Sequence, residues 1–152
     1  MNRHEKILVW LLRAGGAVML TALGAVVMPH DWMNVIHRQA GLGELPHVPI
    51  VGYLTRSISA LYALHGALLM LLARDVVRYL AVIRFLALAG ALFGGLMLTL
   101  DLAVGMPLPW SVGEGPFIVL LSGVFLWLAR RVNAEKRLTE VAKTVSAPGN
   151  FK

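Results

Sequence analysis

The sequence contains no cysteine and few charged residues. Lysine, arginine, aspartate and glutamate together make up 14% of its 152 residues, against roughly 25% in ordinary soluble proteins. The absence of cysteine excludes disulfides, thiolate catalysis and cysteine-ligated zinc or iron–sulfur clusters. The five histidines follow no zinc-binding spacing, so we expect no metal site and no other cofactor.

Apolar residues are in excess and make up 58% of the chain. A soluble domain of this size leaves too much of its surface exposed to hide them. They form four blocks, at about residues 7–28, 49–73, 79–104 and 115–130. Each block is close to the ~20 residues that a helix needs to cross a bilayer, and in lipid only helices satisfy the backbone of such segments. We therefore predict an all-α, integral membrane four-helix bundle over residues 1–131 and a basic tail over residues 132–152.

The positive charges predict the orientation of the four spans. Lysines and arginines concentrate before the first span, between the second and third spans and after the fourth span, whereas the other two connections hold only Arg38. Cytoplasmic segments carry the excess of basic residues, so we predict that both termini are cytoplasmic. The net charge of +6 then indicates contact with anionic lipid headgroups at the inner face, and we expect no nucleic-acid partner.

The first block also fits a cleavable signal peptide. Residues 1–24 have a basic start, an apolar run and the triplet Ala22-Leu23-Gly24. Arg13 interrupts the apolar run, which favours a retained span. Cleavage would leave three spans in an unchanged orientation.

Two segments outside the spans have helical patterns. Asp31 is a suitable N-cap and Gly41 a suitable stop for a short helix on the outer surface. After Arg131, a thin apolar stripe among charges predicts a solvated helix that ends at residues 146–149. We expect this tail to bind loosely to anionic headgroups.

Small residues mark the helix faces that we predict to be interior, since they let membrane helices approach closely. On the first span these faces hold Arg13, Ala17, Thr21 and Gly24, on the second Arg56, Ser59, Ala60, Ala63 and Ala67, and on the third Ala87, Gly90, Ala91, Gly94 and Asp101.

Three charged residues from three different spans fall within the predicted outer third of the bilayer. Arg56 lies about two turns below the outer end of the second span, at ~1.5 Å per residue. Asp101 lies about one turn inside the third span, and Glu114 caps the fourth. An arginine at this depth needs a carboxylate, so we predict an ion pair between Arg56 and Asp101, with Glu114 and Tyr53 in the same cluster. Such a cluster either fixes the helix order or forms a binding site.

His65 is a secondary candidate, because it is the one histidine within a span. A haem held by two histidines needs a second one at similar depth, and the sequence has none. We expect His65 to form a hydrogen bond with a neighbouring helix instead of relaying a proton.

Residues 52–66, together with Trp32, His37-Arg38 and Gly41-Leu42-Gly43, resemble uncharacterised small bacterial four-helix membrane proteins. In architecture these proteins are similar to the DoxX-like group. The resemblance implies a location in the bacterial inner (plasma) membrane, and it implies no reaction and no functional residue.

Three functions remain open. The first is a non-enzymatic scaffold or accessory subunit of a membrane complex, acting alone, as a homo-oligomer or with other proteins. The second is a small transporter or lipophilic-ligand carrier with a charged pocket in the outer leaflet. The third is a membrane enzyme acting on a lipid or quinone, with His65 or Glu114 as the acid–base group. The sequence shows no paired nucleophile and base, so the first is favoured.

Overall fold

The computed structural model describes residues 1–146, and the side chains of residues 1–138. Its helices are α1 (Arg3–Leu20), α2 (Leu23–Val27), α3 (His30–Gln39), α4 (Pro49–Leu72), α5 (Leu80–Val104) and α6 (Leu108–Ser146). No strand occurs within the described residues. The predicted all-α class is therefore confirmed.

Four segments are long and apolar enough to cross a membrane. They are Arg3–Val27, Pro49–Leu72, Leu80–Val104 and Leu108–Leu138. In an apolar 18-residue stretch of each segment, only 17% to 28% of the residues are buried within the chain. Most of the apolar surface of these helices therefore faces outward, as it does in helices that an apolar solvent surrounds.

The first apolar segment is interrupted, which the sequence did not predict. α1 ends at Leu20 and α2 begins at Leu23. Between them, the hydroxyl of Thr21 donates to the carbonyl oxygen of Val18 at 2.6 Å. A hydroxyl that bonds to the preceding turn competes with the backbone ladder and bends a helix.

The last helix is longer than its predicted span at both ends. α6 begins at Leu108 rather than at residue 115, so that Pro116 lies inside it. It also continues past residue 131, without a break, to Ser146. The predicted stop beyond that residue, at positions 147–149, lies outside the described residues.

The predicted surface helix is present as α3. Its N-cap is Pro29, with no side-chain cap bond, and Asp31 lies in its first turn. Gly41 follows the helix with a φ of 78°, the left-handed conformation that ends many helices. The stop was therefore predicted correctly, whereas the N-cap was not.

The long helices form two antiparallel hairpins. In the first hairpin, α1 and α2 pack against α4; in the second, α5 packs against α6. A Cβ atom on Gly66 would lie 2.7 Å from the carbonyl oxygen of Gly16, and one on Gly94 would lie 2.7 Å from that of Gly115. Each hairpin is thus closed by a backbone crossing that only glycine permits.

The two hairpins are joined at one end of the molecule, which we call the basic end. It comprises the start of α1, the turn between α4 and α5, and residues 130–138 of α6. The buried cluster there consists of Leu8, Leu12, Leu69, Leu72, Ala73, Val76, Leu80, Ile83, Leu128, Ala129 and Val132. His4 Nδ1 lies 2.6 Å from Glu135 Oε1 and ties α1 to α6 at this end. We call the opposite end the loop end.

One contact of a closed four-helix bundle is nearly missing. Among the described residues, α1 meets α4 and α6, and α5 meets α6, but α4 and α5 hardly touch. Leu72 of α4 belongs to the buried cluster and Leu86 of α5 packs against it. Ile58 lies fourteen residues before Leu72 on the same stripe of α4, and Leu100 lies fourteen residues after Leu86 on the same stripe of α5. Ile58 is 51% exposed and Leu100 is 46% exposed. We call the open space between α4 and α5 toward the loop end the α4–α5 groove. By helical spacing, Ile58 and His65 continue the stripe of Leu72, and Phe93 and Leu100 continue that of Leu86.

The predicted interior faces are correct on α5 and wrong on α1. Ala87, Gly94 and Asp101 are buried on α5. All four residues proposed for the first span are exposed, and α1 instead buries Leu8, Leu12 and Gly16. Small residues suit a lipid-facing surface as well as an interface, so the stripe alone did not determine the face. On α4, Ser59 and Ala63 are buried as predicted, whereas Ala60 and Ala67 are exposed.

Candidate functional site

The loop between α3 and α4 is fixed to α3 by two side chains. His37 Nδ1 lies 3.0 Å from the carbonyl oxygen of Gly43. Asn34 Oδ1 accepts a hydrogen bond of 2.8 Å from the backbone N–H of Leu45. Gly43 has a φ of 81°, a conformation that costs glycine little. These bonds fold the loop back toward the start of α3.

This fold brings two histidines together at the loop end. The rings of His30 and His47 meet edge to face, with centroids 4.3 Å apart. Nε2 of His30 is buried and has no hydrogen-bond partner in the structure. A buried polar atom without a partner costs free energy, and the described residues leave this cost uncompensated.

Arg56 of α4 is held by three backbone carbonyl groups. Its Nε donates to Val26 at 3.1 Å and its Nη2 to Met28 at 3.0 Å, while Nη1 donates to Gly52 at 3.1 Å. Carbonyl groups at the C-terminal end of a helix lack intrahelical partners and carry partial negative charge. The guanidinium therefore caps the end of α2 and points toward the start of α4.

An open pocket of about 490 Å³ lies beside this guanidinium. We call it the Arg56 pocket. It is lined by His30, His47, Val48, Pro49, Gly52, Tyr53 and Arg56. The lining holds one permanent cation, two imidazoles and a phenol, and it contains no carboxylate.

The structure brings two of the four predicted cluster residues together. Arg56 and Tyr53 share the Arg56 pocket. The ion pair predicted between Arg56 and Asp101 is not formed within residues 1–138, where Arg56 bonds to backbone carbonyl groups instead. Those carbonyl groups are available because the first apolar segment ends at Val27, and the last carbonyl groups of a helix have no intrahelical partners.

Asp101 is buried in the second hairpin, where it is 5% exposed. Its Oδ2 has no hydrogen-bond partner, and neither has the buried hydroxyl of Ser111. α5 and α6 run antiparallel, with Gly94 against Gly115 and Gly90 against Ser122. This register places Asp101 at about the level of Ser111.

Glu114 lies in the second turn of α6 and does not cap a helix, contrary to the prediction. Its Oε2 accepts a hydrogen bond of 2.7 Å from Nε1 of Trp110. It is also close enough to Tyr62 of α4 for the two side chains to interact electrostatically. No hydrogen bond or ion pair joins Glu114 to Arg56 among the described side chains.

His65 is half-buried on α4. The hydrogen bond that we predicted to a neighbouring helix is not formed in the described part of the chain. There, no three histidine, aspartate or glutamate side chains come close enough to hold a metal ion. The position of His65, in the α4–α5 groove, is its main structural feature.

His30 and His47 are pocket residues that sequence reasoning missed. Each follows a proline: Pro29-His30 begins α3, and Pro46-His47 lies shortly before α4. A proline just before a helix or at its start marks the point where the chain passes from extended structure into the helix. That signal was in the sequence, but the pairing of the two rings depends on the loop bonds of His37 and Asn34.

No family model, curated protein or solved structure matches this chain.

Proposed function

We propose that the chain is a multi-pass protein of the bacterial inner (plasma) membrane, with both termini in the cytoplasm. The exposed apolar surface of its four long helices supports a membrane location, because water would make that exposure costly. The concentration of lysine and arginine at the basic end supports the orientation. The resemblance to small bacterial four-helix proteins supports the choice of membrane.

Within that membrane, we propose a non-enzymatic role as a scaffold or accessory subunit that binds a transmembrane helix of a partner in the α4–α5 groove. The observation that carries this proposal is the near absence of contact between α4 and α5. Ile58 and Phe93 remain exposed on the stripes that continue from Leu72 and Leu86. His65, a polar side chain in an apolar groove, offers the kind of hydrogen bond that stabilises contacts between membrane helices.

The absence of cysteine makes a cross-linking test clean. Single cysteines introduced by Ile58→Cys and Phe93→Cys place a thiol in the groove. Leu64→Cys and Leu88→Cys are matched controls, since these residues are exposed elsewhere on the same two helices. Treatment of native membranes with a photoactivatable thiol reagent should give a covalent protein adduct from the two groove positions and not from the two controls.

The mass of the adduct identifies the partner. An adduct of twice the chain mass indicates a second copy, and any other mass indicates a different protein. Adducts that form equally from all four positions, or from none, would contradict the scaffold function.

A second candidate function is a lipophilic-ligand carrier or small transporter. The Arg56 pocket favours it, because the pocket is charged and lies at the loop end, predicted to face the outer leaflet. An enzyme acting on a lipid or quinone receives no such support, since His65 and Glu114 share no contact and Glu114 is already bonded to Trp110.

A further inference from the structure

We propose that the Arg56 pocket binds the phosphate group of an anionic phospholipid from the leaflet at the loop end. This inference goes beyond the scaffold function and holds equally for a carrier. Lipid binding at this pocket presupposes only that the chain lies in a membrane. It is tested in detergent, so a negative result there would not bear on the topology or on the partner contact.

The charge balance at the pocket is the first argument. The pocket lining contains a guanidinium and no carboxylate. Arg56 forms no ion pair with any residue whose side chain the structure describes. A positive charge that is half-buried in an apolar region is costly without a counter-ion. The partners of Arg56 within the chain are backbone carbonyl groups, which carry only partial negative charge. A ligand with a full negative charge would neutralise the guanidinium.

The donors around the pocket are the second argument. Arg56 uses one N–H of Nη1 and one of Nη2, so each of these nitrogens keeps one N–H for the fork-like contact that guanidinium makes with phosphate. His30 lines the same pocket and places an imidazole ring there. α4 begins beside them at Pro49 without a side-chain cap, which adds the positive end of a helix dipole.

The surroundings of the pocket argue for a lipid rather than free phosphate. The hydrogen bond to Gly52 directs the guanidinium toward the start of α4. Arginine side chains in membrane helices extend in this way toward the headgroup region. Val27, which lies between two carbonyl partners of Arg56, and Ile50, which follows Pro49 of the lining, both expose large apolar side chains. A phospholipid therefore contacts both surfaces, with its phosphate in the pocket and its acyl chains against these residues. Inorganic phosphate gains only the polar contacts.

Native mass spectrometry of the full-length protein in detergent tests the proposal. The probes are a short-chain phosphatidylglycerol, a short-chain phosphatidylcholine and inorganic phosphate. Phosphatidylglycerol should bind most tightly, because the choline cation would meet a positively charged lining. Arg56→Gln should weaken its binding by roughly 10- to 100-fold, the range for hydrogen bonds to charged groups. Arg38→Gln, which removes an exposed arginine of α3 outside the pocket, should leave binding unchanged.

A second variant protects the test from a folding defect, because Arg56 also holds the end of α2. His47→Ala removes an exposed pocket residue and leaves the three bonds of Arg56 intact. It should weaken phosphatidylglycerol binding by roughly 2- to 10-fold with an unchanged melting temperature. Equal binding by the wild type and both pocket variants would overturn the site. Binding of inorganic phosphate as tight as that of phosphatidylglycerol would overturn the lipid as its ligand.

Discussion

At the scale of single residues, four glycines set the distance between the long helices. A Cβ on Gly115 would lie 2.6 Å from the carbonyl oxygen of Gly94, and one on Gly16 would lie 2.9 Å from that of Gly66. In both hairpins the obstructing atom belongs to the backbone, so a rotamer change cannot relieve the contact. Each hairpin must separate locally to accept even one methyl group.

Neighbouring glycines on α5 provide a matched test of this account. Gly94→Ala should lower the free energy of unfolding by about 1–3 kcal/mol, the usual cost of overpacking. Gly95→Ala should be neutral or slightly stabilising, because nothing lies within 4 Å of its added Cβ and alanine favours helix. Unfolding in mixed micelles with increasing denaturing detergent measures both, and equal stability of the two variants would contradict the crossing.

The sequence predicted one of the glycines at the helix contact of the second hairpin, but neither of those in the first hairpin. The spacing of Gly90 and Gly94 indicated the interior face of α5, and the structure buries Gly94 there. Gly16 and Gly66 belong to no such spacing and were not selected. The Arg56–Asp101 pair failed for a different reason. Similar depth was correctly taken as a condition for contact, but depth does not specify toward which neighbour a side chain turns.

At the scale of elements, the packed part of α6 continues past residue 131, where we predicted that the membrane span ends. Val132, the first residue of the predicted tail, is 1% exposed. Glu135 accepts hydrogen bonds from His4 and Asn2 and so links α6 to the start of α1. The packed part of α6 therefore extends at least one turn past residue 131.

Two truncations separate the packed part of α6 from the rest of the tail. A chain that ends after Asn133 loses the Glu135 contacts, and its free energy of unfolding should fall only slightly, because ion pairs that solvent reaches contribute little. A chain that ends after Leu138 keeps them and should match the full-length protein. Both should insert and fold. Thermal unfolding in detergent compares them, and an equal loss from both truncations would show that residues beyond Leu138 hold the fold together.

The lengths of the hydrophobic blocks predicted the first and last residues of α4 and α5 to within two residues. They did so because proline or charged residues lie at the ends of those blocks. They could not predict the interruption at Thr21, where a side-chain hydrogen bond acts within an unbroken apolar run. They also placed the start of α6 too late. Proline fits the first turn of a helix, but Pro116 is tolerated inside α6.

At the scale of the whole molecule, the packing is strong at the basic end and open at the loop end. Large apolar residues join the two hairpins at the basic end. Toward the loop end, the small residues close each hairpin on itself and leave α4 and α5 apart. Arg56 belongs to the first hairpin and Asp101 to the second, so the polar groups of the loop end are divided between two separate sites. This asymmetry leaves open both the α4–α5 groove, where we propose that a partner helix binds, and the Arg56 pocket, where we propose that an anionic lipid binds.

The central claim is that this molecule crosses the membrane four times with the basic end in the cytoplasm. A fluorescent protein that matures only in the cytoplasm tests it when fused after Glu44, Arg78, Pro107 or Lys152. We predict fluorescence from the fusions at Arg78 and Lys152, which follow an even number of crossings, and none from those at Glu44 and Pro107. A fluorescent fusion at Glu44 would contradict the four-span topology, and with it the assignment of the Arg56 pocket to the outer leaflet.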